Sequence, residues 1–264
     1  MAGTDKKYER MLASRRRRNV KKKLLLSLKI LLLVIFFVAL VWGFNYFYNS
    51  NYFKIKSINV SGNNYYSIEE IKKEADVALG LNIFEIDKKS IEDMLVKSLV
   101  RLKSASLKKI FPDRIEIQVG EREPFVKVVY GVNYYILDNE GIVLGTIGEN
   151  NQVDYEKLIL VKNGLKSYPE VGEKIAKKNI LSCGDIYEAL DLEIKNEIRE
   201  AYISDESGQD IVLVTNKGKQ IIIGTSDKIV DKNAILRQVL NQLKESGTYY
   251  SVIDLRNIEN PVIK

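Results

Sequence analysis

Asp254 and Arg256 stand two residues apart in a strand-like run near the end of the sequence, VIDLRNIENPVIK, so their side chains share one face. A carboxylate and a guanidinium in that relation can fix a turn as an ion pair, or can orient a partner strand. General acid–base work would need a third group, and none stands beside them. Other acidic pairs are Glu69 with Glu70, Glu121 with Glu123, and Glu197 with Glu200. Two carboxylates can run a glycosidase, but each of these pairs falls in a polar stretch where solvated surface charge is the simpler reading. Histidine is absent, which removes Ser-His-Asp and Cys-His catalysis together with the commonest metal ligand. Cys183 is the single cysteine, so no intramolecular disulfide and no cysteine zinc site can form. Gly141, Gly145 and Gly148 are spaced through a strand-like run that opens no helix, so they are no dinucleotide fingerprint. The expectation is therefore no catalytic, cofactor-binding or metal site.

The elements that carry these residues begin with a membrane segment. The net charge of +6 is concentrated at the start: residues 1–29 hold eleven basic residues, among them Arg15, Arg16, Arg17, Arg18, Lys21, Lys22 and Lys23, against Asp5 and Glu9. The remainder carries a slight acidic excess, so the high pI does not argue for nucleic-acid binding by the folded part. Ile30 to Tyr48 (ILLLVIFFVALVWGFNYFY) has no charge and is long enough to cross a bilayer as a helix. It is apolar all round and ends in aromatics, which suits an uncleaved anchor better than a buried helix or a signal peptide. The positive-inside rule puts residues 1–29 in the cytoplasm, as a self-repelling, unstructured tail whose basic block sets topology and meets anionic lipid. Residues 49–264 then lie outside.

The outer part divides near residue 121. In the first segment, 52–121, FKIKSINVSG alternates as a half-buried strand. Ser67 and Glu70 make a capping box before a helix that runs to Gly80. Asp87 can cap a second helix with Ile91, Met94, Leu95 and Leu99 on one face. Two alternating strands follow, parted by Phe111-Pro112-Asp113-Arg114. Strand, helix, helix, strand, strand makes a small sheet covered on one face. In the second segment, 122–264, a hairpin pivots on Gly141, Lys157–Asn163 reads as a strand, and Ala176–Leu190 as a helix despite Gly184. EAYISD is a strand and DIVLVTNKGKQIIIG a hairpin. Next, DKNAILRQVLNQLKESG is an amphipathic helix with a stripe of Ile235, Val239 and Leu243, closed by Gly247. Tyr250–Leu255 is the last full strand, and Pro261–Lys264 a short terminal segment. The fold class is α+β: one transmembrane helix, a small β-α-α-β-β domain, and a mostly antiparallel sheet with packed helices.

Several stretches carry a resemblance. FKIKSINVSGNNYYSIEEI, GLNIF and FPDRIEIQVGEREPF resemble the POTRA domain of the FtsQ/DivIB cell-division family, behind a basic tail and a single anchor. The run from Tyr134 to Leu144 and the final helix followed by IDLR and PVI resemble that family's C-terminal β-domain, and NIENPVIK resembles the DivIB type. The resemblance implies a non-enzymatic place in the bacterial division machinery. It also implies binding to the small bitopic proteins FtsL and DivIC (the FtsB counterpart), enrichment at the septum, and support of septal peptidoglycan synthase. From the residues themselves, Pro261 lacks the N–H that a central strand needs, which confines the tail to a sheet edge where a partner strand can pair. Tyr250, Ile253, Asp254, Arg256, Asn257, Ile258, Asn260, Pro261, Val262 and Ile263 are the expected partner-binding residues. The competing reading is a membrane-anchored wall enzyme or sensor with a carboxylate-based site.

Overall fold

A computed structural model describes residues 2–147, 155–176, 178–204 and 210–264, with side chains from Leu24 onward. Its first element, α1, runs unbroken from Ala2 to Tyr48. The stretch Leu24–Phe53 is long and apolar enough to cross a membrane; its most apolar 18-residue window has a mean hydropathy of 3.0, and none of that window is buried. The expectation of an unstructured tail differs from this: the helix continues back through the basic block. Lys, Arg, Ala and Leu are strong helix formers, and extension of an existing helix is far easier than nucleation. The backbone of Arg15–Arg18 and Lys21–Lys23 is therefore helical, and their side chains fall outside the described residues.

A single 3₁₀ turn, Asn51–Phe53, leads into β1 (Ser57–Ser61), α2 (Ile68–Glu74), α3 (Lys88–Ser98), β2 (Leu102–Ile110) and β3 (Arg114–Glu121). The three strands form one sheet in the order β1-β3-β2. The capping box is present: the Ser67 hydroxyl accepts the Glu70 N–H at 3.2 Å and the Glu70 carboxylate accepts the Ser67 N–H at 2.8 Å. That helix is shorter than the expected run to Gly80. The chain leaves it after Ala75, with Asp76 at a φ of 48°. The reason is the return to the strand before it: Gly80 N–H donates to Ile55 O at 2.8 Å and Ile55 N–H to Leu81 O at 2.9 Å. Gly62, at a φ of 84°, turns the chain where a Cβ would lie 2.1 Å from the Val119 carbonyl oxygen, so only glycine fits.

The second, larger sheet is built from β4 (Val126–Tyr130), β5 (Asn133–Leu137), β6 (Val143–Thr146), β7 (Leu160–Lys162), β8 (Ile198–Ile203), β9 (Ile211–Thr215), β10 (Gln220–Gly224), β11 (Val252–Asp254) and β12 (Val262–Ile263). Its order is β12-β11-β10-β9-β8-β7-β4-β5-β6. The pairs β4–β7, β7–β8 and β10–β11 are parallel and the others antiparallel. Between the strands run α4 (Lys178–Ala189), α5 (Leu192–Glu197) and α6 (Ile229–Ser246). Val128, Val161 and Leu213 from the sheet join Ile186, Leu236 and Val239 from the helices in one core. The C-cap of α6 is Gly247 in the left-handed conformation, as its sequence signals. Within the α6 stripe Leu236, Val239 and Leu243 are buried, while Ile235 and Leu240 pack at its margin.

By contact density the chain forms two compact units. One comprises Met1–Asn59, Asp76–Lys88 and Leu107–Ile117; the other comprises Val60–Ala75, Lys89–Ser106 and Gln118–Lys264. The second includes the whole larger sheet.

Candidate functional site

The terminal strands are positioned by α6. Its glycine stop turns the chain back so that β11 enters beside β10, with Gln220 N–H donating to Ser251 O and Leu255 N–H to Ile222 O. Ile253 and Leu255 are fully buried, which fixes β11 by its apolar face. After β11 the chain folds on itself. Asn257 supplies an Asx turn, its Oδ1 accepting the Glu259 N–H at 3.1 Å. The strand β12 then returns antiparallel to β11 as the outermost strand of the sheet.

The register tells what this edge offers. Val252 and Lys264 exchange two hydrogen bonds, Val252 N–H to Lys264 O at 3.1 Å and Lys264 N–H to Val252 O at 3.0 Å. Hydrogen-bonded pairs alternate along an antiparallel ladder, so Asp254 with Val262 is the next such pair, and Ile253 with Ile263 is not. The N–H and C=O of Ile263 therefore point outward, whereas Pro261 adds a carbonyl only. Val262 and Ile263 are 45% and 43% exposed, so their side chains are available as well.

The Asp254–Arg256 pair is an ion pair with a third member. The guanidinium of Arg256 donates to Asp254 through Nη2 at 2.7 Å and Nε at 3.1 Å, and to Asp210 Oδ2 through Nη1 at 3.1 Å. Hydrogen bonds from Arg256 hold the Asp254 carboxyl below its ordinary range, and the guanidinium is correspondingly raised. The arrangement ties the turn after β11 to the start of β9; it holds no free acid or base.

The other expected residues separate into two groups. Arg256, Asn257 and Asn260 are exposed, with Asp254, Ile258 and Pro261 half-buried, all within the turn and edge. Tyr250 and Ile253 are a correction: at 7% and 0% exposure their side chains face inward. Ile253 faces the sheet core by strand alternation. Tyr250 is covered by Lys219, whose ammonium sits 3.5 Å from the ring centroid. Tyr250, Lys219 and Arg237 help line a groove of about 460 Å³ between the β9–β10 hairpin and the end of α6.

One member of each carboxylate pair is held by structural partners. Glu121 accepts the backbone N–H groups of Asn64, Tyr65 and Tyr66, Glu70 serves the capping box, and Glu200 pairs with Lys162 and Arg199. Burial pushes the Cys183 thiol up to about 12. Among the described residues no group of three His, Cys, Asp or Glu side chains could hold a metal ion. Gly148 of the glycine series lies outside the described residues. A cluster that sequence reasoning missed surrounds Arg122, which bonds Asp138 Oδ2 at 2.6 Å and Glu140 Oε2 at 2.9 Å, while Lys103 reaches Glu140 Oε1 at 2.8 Å. Nearby, buried Arg101 donates to the Tyr155 hydroxyl at 2.7 Å and stacks over the Tyr65 ring at 3.9 Å. The DNEG turn flagged the hairpin that holds Asp138 and Glu140, but not their cations.

Residues 53–122 match the family model for the POTRA domain, FtsQ-type, and residues 127–256 match that for the C-terminal region of cell division protein FtsQ/DivIB. The chain belongs to the FtsQ/DivIB family of cell-division proteins. It is 26% identical over 195 residues to cell division protein DivIB of Clostridium acetobutylicum, covering 69% of this chain and 77% of the relative. It is 23% identical over 202 residues to FtsQ of Streptomyces venezuelae, covering 76% of this chain and 72% of the relative. A solved structure of the major extracytoplasmic domain of DivIB from Geobacillus stearothermophilus, described as its trans isomer, aligns with a TM-score of 0.31 and 14% identity, over 48% of this chain and 97% of that one. The FtsQ/DivIB match ends at residue 256. It takes in β11 and the Asp254–Arg256 pair and leaves the Asx turn and β12 outside.

Proposed function

We propose that this FtsQ/DivIB chain is a non-enzymatic, single-pass scaffold of the division machinery. Its N-terminus is cytoplasmic and its folded part lies outside the membrane, enriched at the septum. It holds FtsL- and DivIC/FtsB-type partners and through them supports septal peptidoglycan synthesis. Residues 1–29 form the cytoplasmic part, 30–48 the membrane span, 52–121 the POTRA domain and 122–264 the β-domain. The basic block Arg15–Arg18 and Lys21–Lys23 sets the orientation and meets anionic lipid.

The observation that carries the docking site is the β11–β12 edge. Ile263 presents an outward N–H and C=O there, flanked by the Pro261 carbonyl and the exposed Val262 and Ile263 side chains. An edge so short adds a few main-chain bonds to a partner strand, so specificity comes from Arg256, Asn257, Ile258 and Asn260 in the adjoining turn. The test is in-cell photocrosslinking from positions along Ser251–Lys264, together with deletion of Asn257–Lys264. Adducts with small bitopic proteins, and loss of their co-purification on deletion, are expected. Unchanged co-purification with no adducts refutes the edge as the docking site.

A further inference from the structure

The end of α1 does not project into solvent as a free stalk. Asn82, itself buried, donates its side-chain amide to the Tyr48 carbonyl at 2.7 Å, and its Oδ1 accepts the Phe84 N–H at 3.0 Å. One side chain thus caps the helix and fixes the loop Leu79–Phe84. An unbroken series of rings follows. Phe47 meets Phe53 edge-on at 4.9 Å, Tyr48 stacks on Phe84 at 5.1 Å, Phe53 lies 5.0 Å from Phe84, and Phe84 lies 5.3 Å from Phe111. Phe111 is therefore only two ring contacts from the last residue of the apolar helix. All of these residues belong to one compact unit.

This unit also exposes apolar surface. Tyr52 is 60% exposed, Leu79 64%, Phe84 39% and Phe111 54%. Clustered exposed apolar residues of this kind mark an interaction surface. Helix length indicates what covers them. At about 1.5 Å per residue, Ile30–Tyr48 spans roughly the thickness of the hydrocarbon core. Tyr48 then reaches the far boundary, and each headgroup layer beyond it is only about 5–7 Å deep. Phe84, one ring contact of 5.1 Å from Tyr48, lies within that depth, and Phe111, a further 5.3 Å on, reaches at most to about the outer margin of the headgroups. Aromatic side chains favour that layer, and Lys109, whose ammonium donates to the Phe84 carbonyl at 3.4 Å, is placed where a lysine meets lipid phosphate.

We infer that the base of the first outer domain, led by Phe84 and Phe111 with Tyr52 and Leu79, is a second membrane contact, seated in the headgroup layer of the outer leaflet. The inference rests on the reading of α1 as a membrane anchor. The domain is then held at the lipid surface at two places, by the helix and by its own base.

The chain has one tryptophan, Trp42, inside the anchor, which supplies an internal control. The full chain is placed in phosphatidylcholine–phosphatidylglycerol vesicles carrying lipid brominated near the headgroup end of the acyl chain. Loss of Trp42 emission checks the anchor. A second chain, Trp42→Phe with Phe111→Trp, reads the base; if that variant does not fold, Leu79→Trp on the same background replaces it. The inference expects a blue-shifted emission that bromolipid quenches and aqueous iodide does not. Quenching by iodide with none by bromolipid, while Trp42 is quenched, overturns it. Shielding from both quenchers overturns it too, and points to a second copy or another protein as the cover. If Trp42 itself is not quenched, the anchor reading fails, and the inference with it.

Discussion

Glycine in the middle of a helix costs about 1 kcal/mol relative to alanine, yet α4 carries Gly184 in its centre. A Cβ there would lie 2.4 Å from Cε1 of Phe125 and 2.7 Å from Cγ1 of Val126. Overpacking of that kind costs about 1–3 kcal/mol, so it outweighs the helix gain. Gly184→Ala is expected to lower the melting temperature in calorimetry. The neighbouring Cys183 is governed by burial alone: with its thiol raised to about 12, almost no thiolate exists at neutral pH. It is expected to stay unlabelled by iodoacetamide at pH 8 in the folded chain and to react fully in denaturant. Fast labelling of the native protein would show that α4 opens locally.

At the scale of elements, the two terminal strands differ in what holds them. The strand β11 is anchored by the buried side chain of Ile253, whereas β12 buries no residue. Truncating a fully buried isoleucine costs about 2–5 kcal/mol. Ile253→Ala is therefore expected to destabilise the β-domain clearly, while deletion of Asn257–Lys264 leaves its melting curve nearly in place. Comparable losses from the two changes would make β12 an integral strand rather than an applied edge. The elements legible in the sequence are those specified locally. They include the Ser67–Glu70 capping box, the β9–β10 hairpin at NKGK, the α6 stripe with its Gly247 stop, and Pro261 as the mark of an edge. The Asp254–Arg256 pair was legible too, because both members sit on one strand end. Its third member, Asp210, was not, since it arrives from the far side of a hairpin and a helix. Strand β4 and the placement of β7 between β4 and β8 were likewise hidden, because parallel neighbours are chosen by the whole sheet and leave no turn signal. The helix α2 ended early for a similar reason: its length was set by the bonds of Gly80 and Leu81 to Ile55, not by its own propensity.

For the molecule as a whole, the charge cluster around Glu140 makes stability depend on pH in a specific window. Hydrogen bonds from Lys103 and then Arg122 hold the Glu140 carboxyl at about 2, against 4.5 for the ordinary group. A depressed carboxylate adds stability that is complete above its unfolded value and is lost as pH falls toward the folded one. The melting temperature is expected to decline as pH drops from about 4.5 to about 2, and the decline is expected to be shallower in Glu140→Gln. Because Glu140 is solvated, the difference should shrink further in high salt. An unaltered slope in the variant would assign the acid sensitivity to other carboxylates.

The Asn82 amide on the last turn of α1 has a rotational consequence. With that bond and the Phe84 ring against Tyr48, the helix and the base of the POTRA domain turn as one body. Every residue of an α-helix advances about 100° around its axis. The bearing of that base relative to the helix residues before Ile30 is therefore written in the residue count of the apolar run. One residue added between Ile30 and Tyr48 would swing it through more than a quarter circle, whereas four, slightly over one turn, would bring it back to within about 40°.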